Sequence, residues 1–454
     1  MKFGTGHLLL VAGFGGTLFD FAGTIIGPAL PYLEALGAFS TAELSRLSSA
    51  VVMSAGVACF VTGFMADRFG RKPTMLIAGA LALVSCLPVC LGGGSFWLFY
   101  VGRWLQGFAA GIVGVVVPMY LVETLAPDMR GRGAAVFQLL DIGGILFCSV
   151  IGVAVVRLVG AADSAAVTAA SKAFAWKAIM WSSALPAVLF VLGVLGLPES
   201  PTWLSRRASG EGLRRQSAAA APPSSLLQRK YVIPFLLAQA TLVCNQTAGV
   251  TSLQLYAVTM FERAGFSNSA ANVANMVTML VFAATTASAL FLVDRVGRRP
   301  LMAVGTLGLV VSHAMAGFAY LAIRCGFLQP GTTTATIAAA GVTLAVGSFG
   351  IGPGVVAWLM LSELMPDRIR AAGMSIAMFV NMLVAYLIAD NMLVVGERFG
   401  YAVMLFLFSG CCLGYFLLAV FALPETKGRT LAEIERYFET FGVRRGKAGA
   451  PSVG

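Results

Sequence analysis

GFMADRFGRK at residues 63–72 and LFLVDRVGRR at residues 290–299 are two copies of one signal. Each leaves an apolar run through an Asp-Arg pair, passes a glycine and ends in two basic residues. The apolar runs on either side are roughly 20 residues long, and about 20 residues at 1.5 Å each cross a bilayer core. The signal therefore marks where one membrane helix ends, the chain turns tightly at Gly70 or Gly297, and the next helix begins. Its recurrence in the second half of the chain points to a duplicated architecture.

Working outward, other pairs keep the same order. PMYLVETLAPDMRGRG (118–133) is answered by WLMLSELMPDRIRAAG (358–373), and PESP (198–201) by PETKG (424–428). Apolar blocks lie near 8–33, 47–66, 74–95, 97–121, 134–157 and 177–197, then near 231–261, 272–293, 301–323, 334–362, 371–396 and 400–422. These are twelve expected spans, and the motif pairs fall at matching places in each set of six. The expected fold is an all-α membrane protein of two pseudo-symmetric six-helix bundles in parallel repeat. Residues 1–197 and 231–422 form the bundles, 198–230 a cytoplasmic linker rich in Ala, Arg, Ser and Pro, and 423–454 a cytoplasmic tail. The block beginning at His7 is read as span one and not as a removed signal peptide.

Composition agrees. Hydrophobic residues make up 58% and charged residues 11%, against about 25% charged in a soluble domain. The net charge of +11 is not a nucleic-acid footprint, because its placement is one-sided. With both termini cytoplasmic, 23 of the 31 basic residues fall on the cytoplasmic side and seven on the other, with Arg103 inside a span. This orients the chain in a plasma membrane or bacterial inner membrane. The eight cysteines show no metal-ligand spacing and are read as small apolar residues. With two histidines, no nucleophile–base pair and no phosphate-binding loop, neither an enzyme nor a cofactor or metal site is expected.

The motifs also carry a family likeness. Gly63, Asp67, Arg68, Gly70, Arg71 and Lys72; Arg103 with Gly107 and Gly111; Glu123, Arg130 and Gln138; PESPTWL (198–204); GPGVVAW (352–358); Glu363 and Arg370; and PETKGRTLAEI (424–434) occur in order along the whole chain. In these the chain resembles the sugar porters of the major facilitator superfamily, which include proton–sugar symporters and glucose facilitators. The resemblance implies a major facilitator fold and alternating-access transport of a monosaccharide or sugar-like polyol. The lipid bilayer and H+ are the other partners, and one chain suffices for transport. Asp20, Asp141 and Arg103 offer a titratable route that favours proton symport over a passive facilitator. A transporter-like sugar sensor, or a carrier of an organic cation or carboxylate, are the other readings.

The resemblance assigns substrate contacts to Gln138, Asn245, Gln246, Trp358 and Asn381, with Thr251 where the family usually has Asn. NQTAGVTSLQLY (245–256) stands for the family's QQxxGxNxxxYY, and Phe282 and Met382 replace residues that are often Asn and Trp. Asp141, three residues beyond Gln138 and on nearly the same helix face, adds an acid where the family has an apolar residue. A carboxyl there is able to take up a proton, accept a hydroxyl or balance a cation. Arg103, costly within a span unless paired, faces a span-one aspartate in the family. Here the flanking glycines put Ala22 at that place, two residues and about 200° from Asp20, so a break near Gly23 is required for Asp20 to meet Arg103. Asp67, Arg71, Glu123, Arg130 and Glu199, repeated as Asp294, Arg298, Glu363, Arg370 and Glu425, are read by the resemblance as a cytoplasmic gate that latches the two halves together in the outward-open state and breaks when the carrier opens inward.

Overall fold

A computed structural model describes residues 5–92, 94–126, 129–208, 228–366 and 369–427, with 433, 437 and 438. Most of the expected linker and tail lies outside these. Among the described residues the chain is helical, with no strand. The first half comprises α1 (Thr5–Thr24), α2 (Ile26–Leu36), α3 (Thr41–Phe69), α4 (Arg71–Leu91), α5 (Phe96–Thr124), α6 (Arg130–Val159), α7 (Ala169–Trp181), α8 (Ala184–Leu195) and α9 (Pro201–Ala208). The second comprises α10 (Arg229–Thr247), α11 (Val250–Ala264), α12 (Asn268–Val296), α13 (Arg298–Arg324), α14 (Thr332–Ile351), α15 (Pro353–Leu364), α16 (Arg370–Phe399) and α17 (Tyr401–Phe421).

The turns follow from local chemistry. Gly70 and Gly297 stand at φ 103° and 107°, where a side chain would be strained, and there α3 hands over to α4 and α12 to α13. At the other end of the bundle Ser40, Thr168 and Ser267 accept from backbone N–H groups and start α3, α7 and α12. The end bearing the two arginine-rich turns is called the basic face below.

Four expected spans are broken: α1–α2 at Ile25, α7–α8 at Ser182–Ser183, α10–α11 at Ala248–Gly249 and α14–α15 at Gly352. Pro353 cannot supply an N–H to continue α14. Eleven stretches of the described chain are long and apolar enough to cross a membrane. The α10–α11 pair is the remaining expected span. Its break leaves pieces of 19 and 15 residues that carry Gln239, Asn245, Gln246, Thr251 and Gln254. Irregular backbone at membrane depth persists only where protein buries it or where it lines a cavity.

The two halves meet chiefly where α3 runs along α16 and α6 along α12. The first seam carries Ser49 on Asp390 near one end, Gly56 against Met382 at the middle, and Phe60 on Phe379 at 4.9 Å beyond it. Apolar packing divides by depth. One buried cluster draws on both halves and includes Leu30, Phe39 and Trp176 with Met260, Phe261 and Tyr320, all toward the face opposite the basic one. Toward the basic face there are two clusters instead. One holds Leu8, Met75, Tyr120 and Leu197 of the first half, the other Leu301, Met360, Leu364 and Phe438 of the second. Leu158, Phe291 and Phe421 are exposed, as suits side chains facing lipid tails as apolar as themselves.

Candidate functional site

At the basic face each half builds the same cluster. The buried Arg71 guanidinium donates to the Ala66 carbonyl at 2.9 Å, to Asp67 at 3.1 Å and to Glu123 at 2.7 Å. Ser200 donates to the other Glu123 oxygen at 2.5 Å. Glu199 accepts from the backbone N–H groups of Arg71 and Lys72, the first of α4, where a carboxylate satisfies unpaired donors and meets the positive end of the helix dipole. In the second half Arg298 donates to Val293, to Asp294 at 3.0 Å and to Glu363 at 3.0 Å. Thr426 bonds the second Glu363 oxygen, and Glu425 accepts from the backbone N–H groups of Arg298 and Arg299. Partial burial raises the Glu425 carboxyl, but the backbone donors of Lys427, Arg298 and Arg299 and the Arg298 charge outweigh it and hold it below the usual glutamate range.

These contacts run within each half, and the latch between halves that the gate reading places in the outward-open state is not among the described contacts. The reason is topological. The turn after the second span, the end of the fourth and the segment after the sixth all converge on one side of their own bundle. The side chains of Arg130 and Arg370 lie outside the described residues.

The polar contacts that join the halves sit elsewhere. Glu34 of α2 pairs with Arg263 of α11 at 3.7 Å, and Arg263 with Glu397 of α16 at 3.6 Å. Thr41 of α3 donates to Glu397 at 3.1 Å. The Ala162 N–H donates to Asn268 at 3.2 Å, and the Asn268 N–H to Asp163 at 3.2 Å. Ser49 donates to Asp390 at 2.8 Å, and Asn275 to Ser149 at 3.2 Å. These hydrogen bonds and ion pairs between halves lie at mid-membrane or toward the face opposite the basic one.

In the interior, Arg103 is fully buried and meets no carboxylate. It donates to the carbonyls of Leu47 at 3.1 Å, Ala22 at 2.7 Å and Gly23 at 3.2 Å, and to Gln106 at 2.8 Å. The last carbonyls of α1 have no helical partner of their own, and the guanidinium takes them. The break near Gly23 therefore does not bring Asp20 to Arg103. Asp20, two residues earlier and on another side of the helix, meets Asp141 instead, carboxyl to carboxyl. Gln138 donates to Asp141 at 3.3 Å, so three of the named residues come together.

In the second half, Thr251 donates to Gln246 at 3.0 Å across the α10–α11 break. Asn245 instead turns its amide to the Pro353 carbonyl at 3.0 Å, which ties the break in span seven to the break in span ten. Trp358 is half-buried beside the second-half basic-face cluster. Asn381 of α16 is fully buried, and neither atom of its amide has a partner. Leaving such a group unpaired costs about 1–3 kcal/mol, an arrangement that a polar ligand relieves. Gln254 was not among the expected residues. It lies one turn beyond Thr251 on the same half-buried face of α11, with an unpartnered amide nitrogen. The i, i+3 spacing of Thr251 and Gln254 was the available signal.

Set beside known proteins, residues 8–438 match the family described as sugar (and other) transporter. The major myo-inositol transporter IolT of Bacillus subtilis (strain 168) is 25% identical, over 96% of this chain and 94% of its own length. The arabinose-proton symporter of the same organism is 26% identical over 95% of each chain. The crystal structure of a D-xylose-proton symporter shares the fold with TM-score 0.77 and 22% identity, covering 94% of this chain and 99% of that one.

Proposed function

Because the chain belongs to the sugar (and other) transporter family, we propose that it carries a monosaccharide or sugar-like polyol with a proton across a cell membrane by alternating access. The observation that carries this is the unequal joining of the halves. They are bonded toward one face and packed as separate cores toward the other, which is the geometry of a carrier opened to one side. The basic face is the cytoplasmic one by the positive-inside bias, so this is the inward-open state of a protein in a plasma or bacterial inner membrane, with both termini inside.

The substrate is bound between Gln138 and Asp141 on α6, Gln246 and Thr251 at the α10–α11 break, and Asn381 on α16, with Trp358 as the aromatic face. Gln254 joins this set, and Asn245 serves as the tie to Pro353. Sugar sites combine a few convergent amides or acids with an apolar wall, and Asn381 with its unpaired amide meets that need. The basic-face clusters of Asp67, Arg71, Glu123 and Glu199, and of Asp294, Arg298, Glu363 and Glu425, shape the cytoplasmic rim of each half. Arg130 and Arg370 complete the gate. Relatives named for myo-inositol and arabinose support a neutral polyhydroxylated substrate.

The test is uptake into proteoliposomes with labelled D-xylose, L-arabinose and myo-inositol. Counterflow of at least one, blocked by unlabelled neutral polyols, is expected. Inhibition by charged solutes alone overturns the sugar reading. Sugar uptake with no accompanying alkalinisation, unaffected by the membrane potential, makes the chain a passive facilitator.

A further inference from the structure

The helices that carry Asp20 and Asp141 are held together by what surrounds the two acids. A Cβ on Gly16 would stand 3.0 Å from the Asp141 backbone nitrogen, and one on Gly144 2.7 Å from the Thr17 carbonyl. Only glycine permits that approach of α1 to α6, and Thr17 fixes it by donating to the Leu140 carbonyl at 2.9 Å. One turn beyond Gly16, Asp20 arrives beside Asp141, so that two carboxyls face each other across the helix contact. Asp141 is 6% exposed. One of its oxygens accepts from Gln138, and the other, Oδ1, is buried without a hydrogen-bond donor from the protein.

Ionised carboxyls only accept hydrogen bonds and repel one another, so two that face each other can bond only with a proton between them. The cation that would otherwise neutralise an acid here is committed elsewhere, since Arg103 gives its donors to three carbonyls and to Gln106. The other ionisable group facing Asp20 is Cys148 of α6, bonded to Thr24 at 3.3 Å.

We propose that Asp20 and Asp141 hold one transported proton between them, and that Asp141 presents the pair to the substrate through Gln138 and its free oxygen. This rests on the transport reading and deepens it. With the proton in place the pair carries a single negative charge, and Oδ1 accepts a substrate hydroxyl. With the proton released to the open side, two like charges face each other across the glycine contact. That contact must then loosen, which displaces the broken first span. Proton and substrate thus act on one wall, and Arg103 serves as the pin of the α1–α2 break.

Purified protein in proteoliposomes, with D-xylose and myo-inositol as probes and an imposed pH gradient, tests this. In the wild type, accumulation above equilibrium is expected. Asp20→Asn and Asp141→Asn each lose it entirely while counterflow persists at a reduced rate, and the double variant is no worse than either. Full proton-driven accumulation in either single variant overturns the shared site. Failure of the wild type to counterflow any sugar sinks the parent reading instead, and this one with it. Infrared difference spectra supply a readout independent of transport: a protonated-carboxyl band in the wild type that is lost in each single variant. Absence of such a band in the wild type, or its survival in both variants, overturns the pair.

Discussion

The two ends of the helical bundle are held by opposite means. At the basic face each half satisfies itself: Arg71 with Glu123, Arg298 with Glu363, and Glu199 and Glu425 on the starts of α4 and α13. At the other face the halves depend on each other, through Asn268, Thr41, Glu34 and Arg263 and through an apolar cluster that both supply. A carrier needs its halves rigid and its interface reversible. Here close ion pairs fall where rigidity is wanted, and neutral hydrogen bonds, apolar packing and long, partly exposed ion pairs fall where a contact must break each cycle.

The largest expected effect tests the rigid end. Arg71→Ala leaves Glu123 buried without its cation, and breaking a buried pair costs about 3–5 kcal/mol. Thermal unfolding in detergent should therefore drop sharply. Arg298 and Glu363 are more exposed, at 13% and 24% against 2% and 11% for Arg71 and Glu123. Arg298→Ala should thus lose less, about 1–3 kcal/mol. Equal losses would mean that burial does not set the difference.

Next comes the seam. A Cβ at Gly56 would already stand 2.8 Å from the Met382 Cβ. Gly56→Trp wedges α3 from α16, and overpacking of about 1–3 kcal/mol shifts the two-state balance about 5–150-fold away from the joined arrangement. The check is a cysteine at Gln254, labelled by an impermeant thiol reagent from each side of oriented vesicles. Labelling from the cytoplasmic side should fall.

Asn268→Ala removes an acceptor for Ala162 and a donor to Glu262. A loss of about 1–2 kcal/mol at the joined face should move the same labelling assay in the same direction by roughly tenfold. No movement would place the closure in the apolar cluster alone.

Glu425→Gln makes a smaller change with a definite pH sign. A carboxyl held below its usual range adds stability that is present above its unfolded value and lost as pH falls through the lowered one. The variant should therefore unfold more easily than the wild type near neutrality and converge with it on acidification. Smallest is Arg263→Gln. Its ion pairs are 3.6–3.7 Å long with the arginine half exposed, worth about 0–1 kcal/mol, and any effect on uptake should fade in high salt.

The sequence announced the rigid end and concealed the reversible one. Gly70, Gly297 and the acid–arginine spacing recur in both halves, and repetition made them readable. Asn268, Asp163, Glu34 and Glu397 belong to no repeat and are ordinary loop-end residues. Their partnership exists only once the halves are folded against each other. In the interior, Gln138 and Asp141 were legible from helix spacing, whereas the partner of Asp20 was not. Register along α1 put Arg103 out of its reach, but only the Gly16 and Gly144 contact, which is a matter of packing, shows what replaces it. The tie of Asn245 to Pro353 was hidden for a similar reason. Its amide answers a carbonyl exposed by a break in another span, and no local pattern records that.

The self-sufficiency of each basic-face cluster also bears on how the chain is made. Every described partner of Arg71 and Glu199 lies before residue 204, so the first bundle can build this charged network while the second is still being synthesised. Arg71 and Glu123 need not wait in lipid for a later helix. A chain severed within 209–227 and produced as two fragments should accordingly reassemble in the membrane, each fragment arriving with its own arginines already answered.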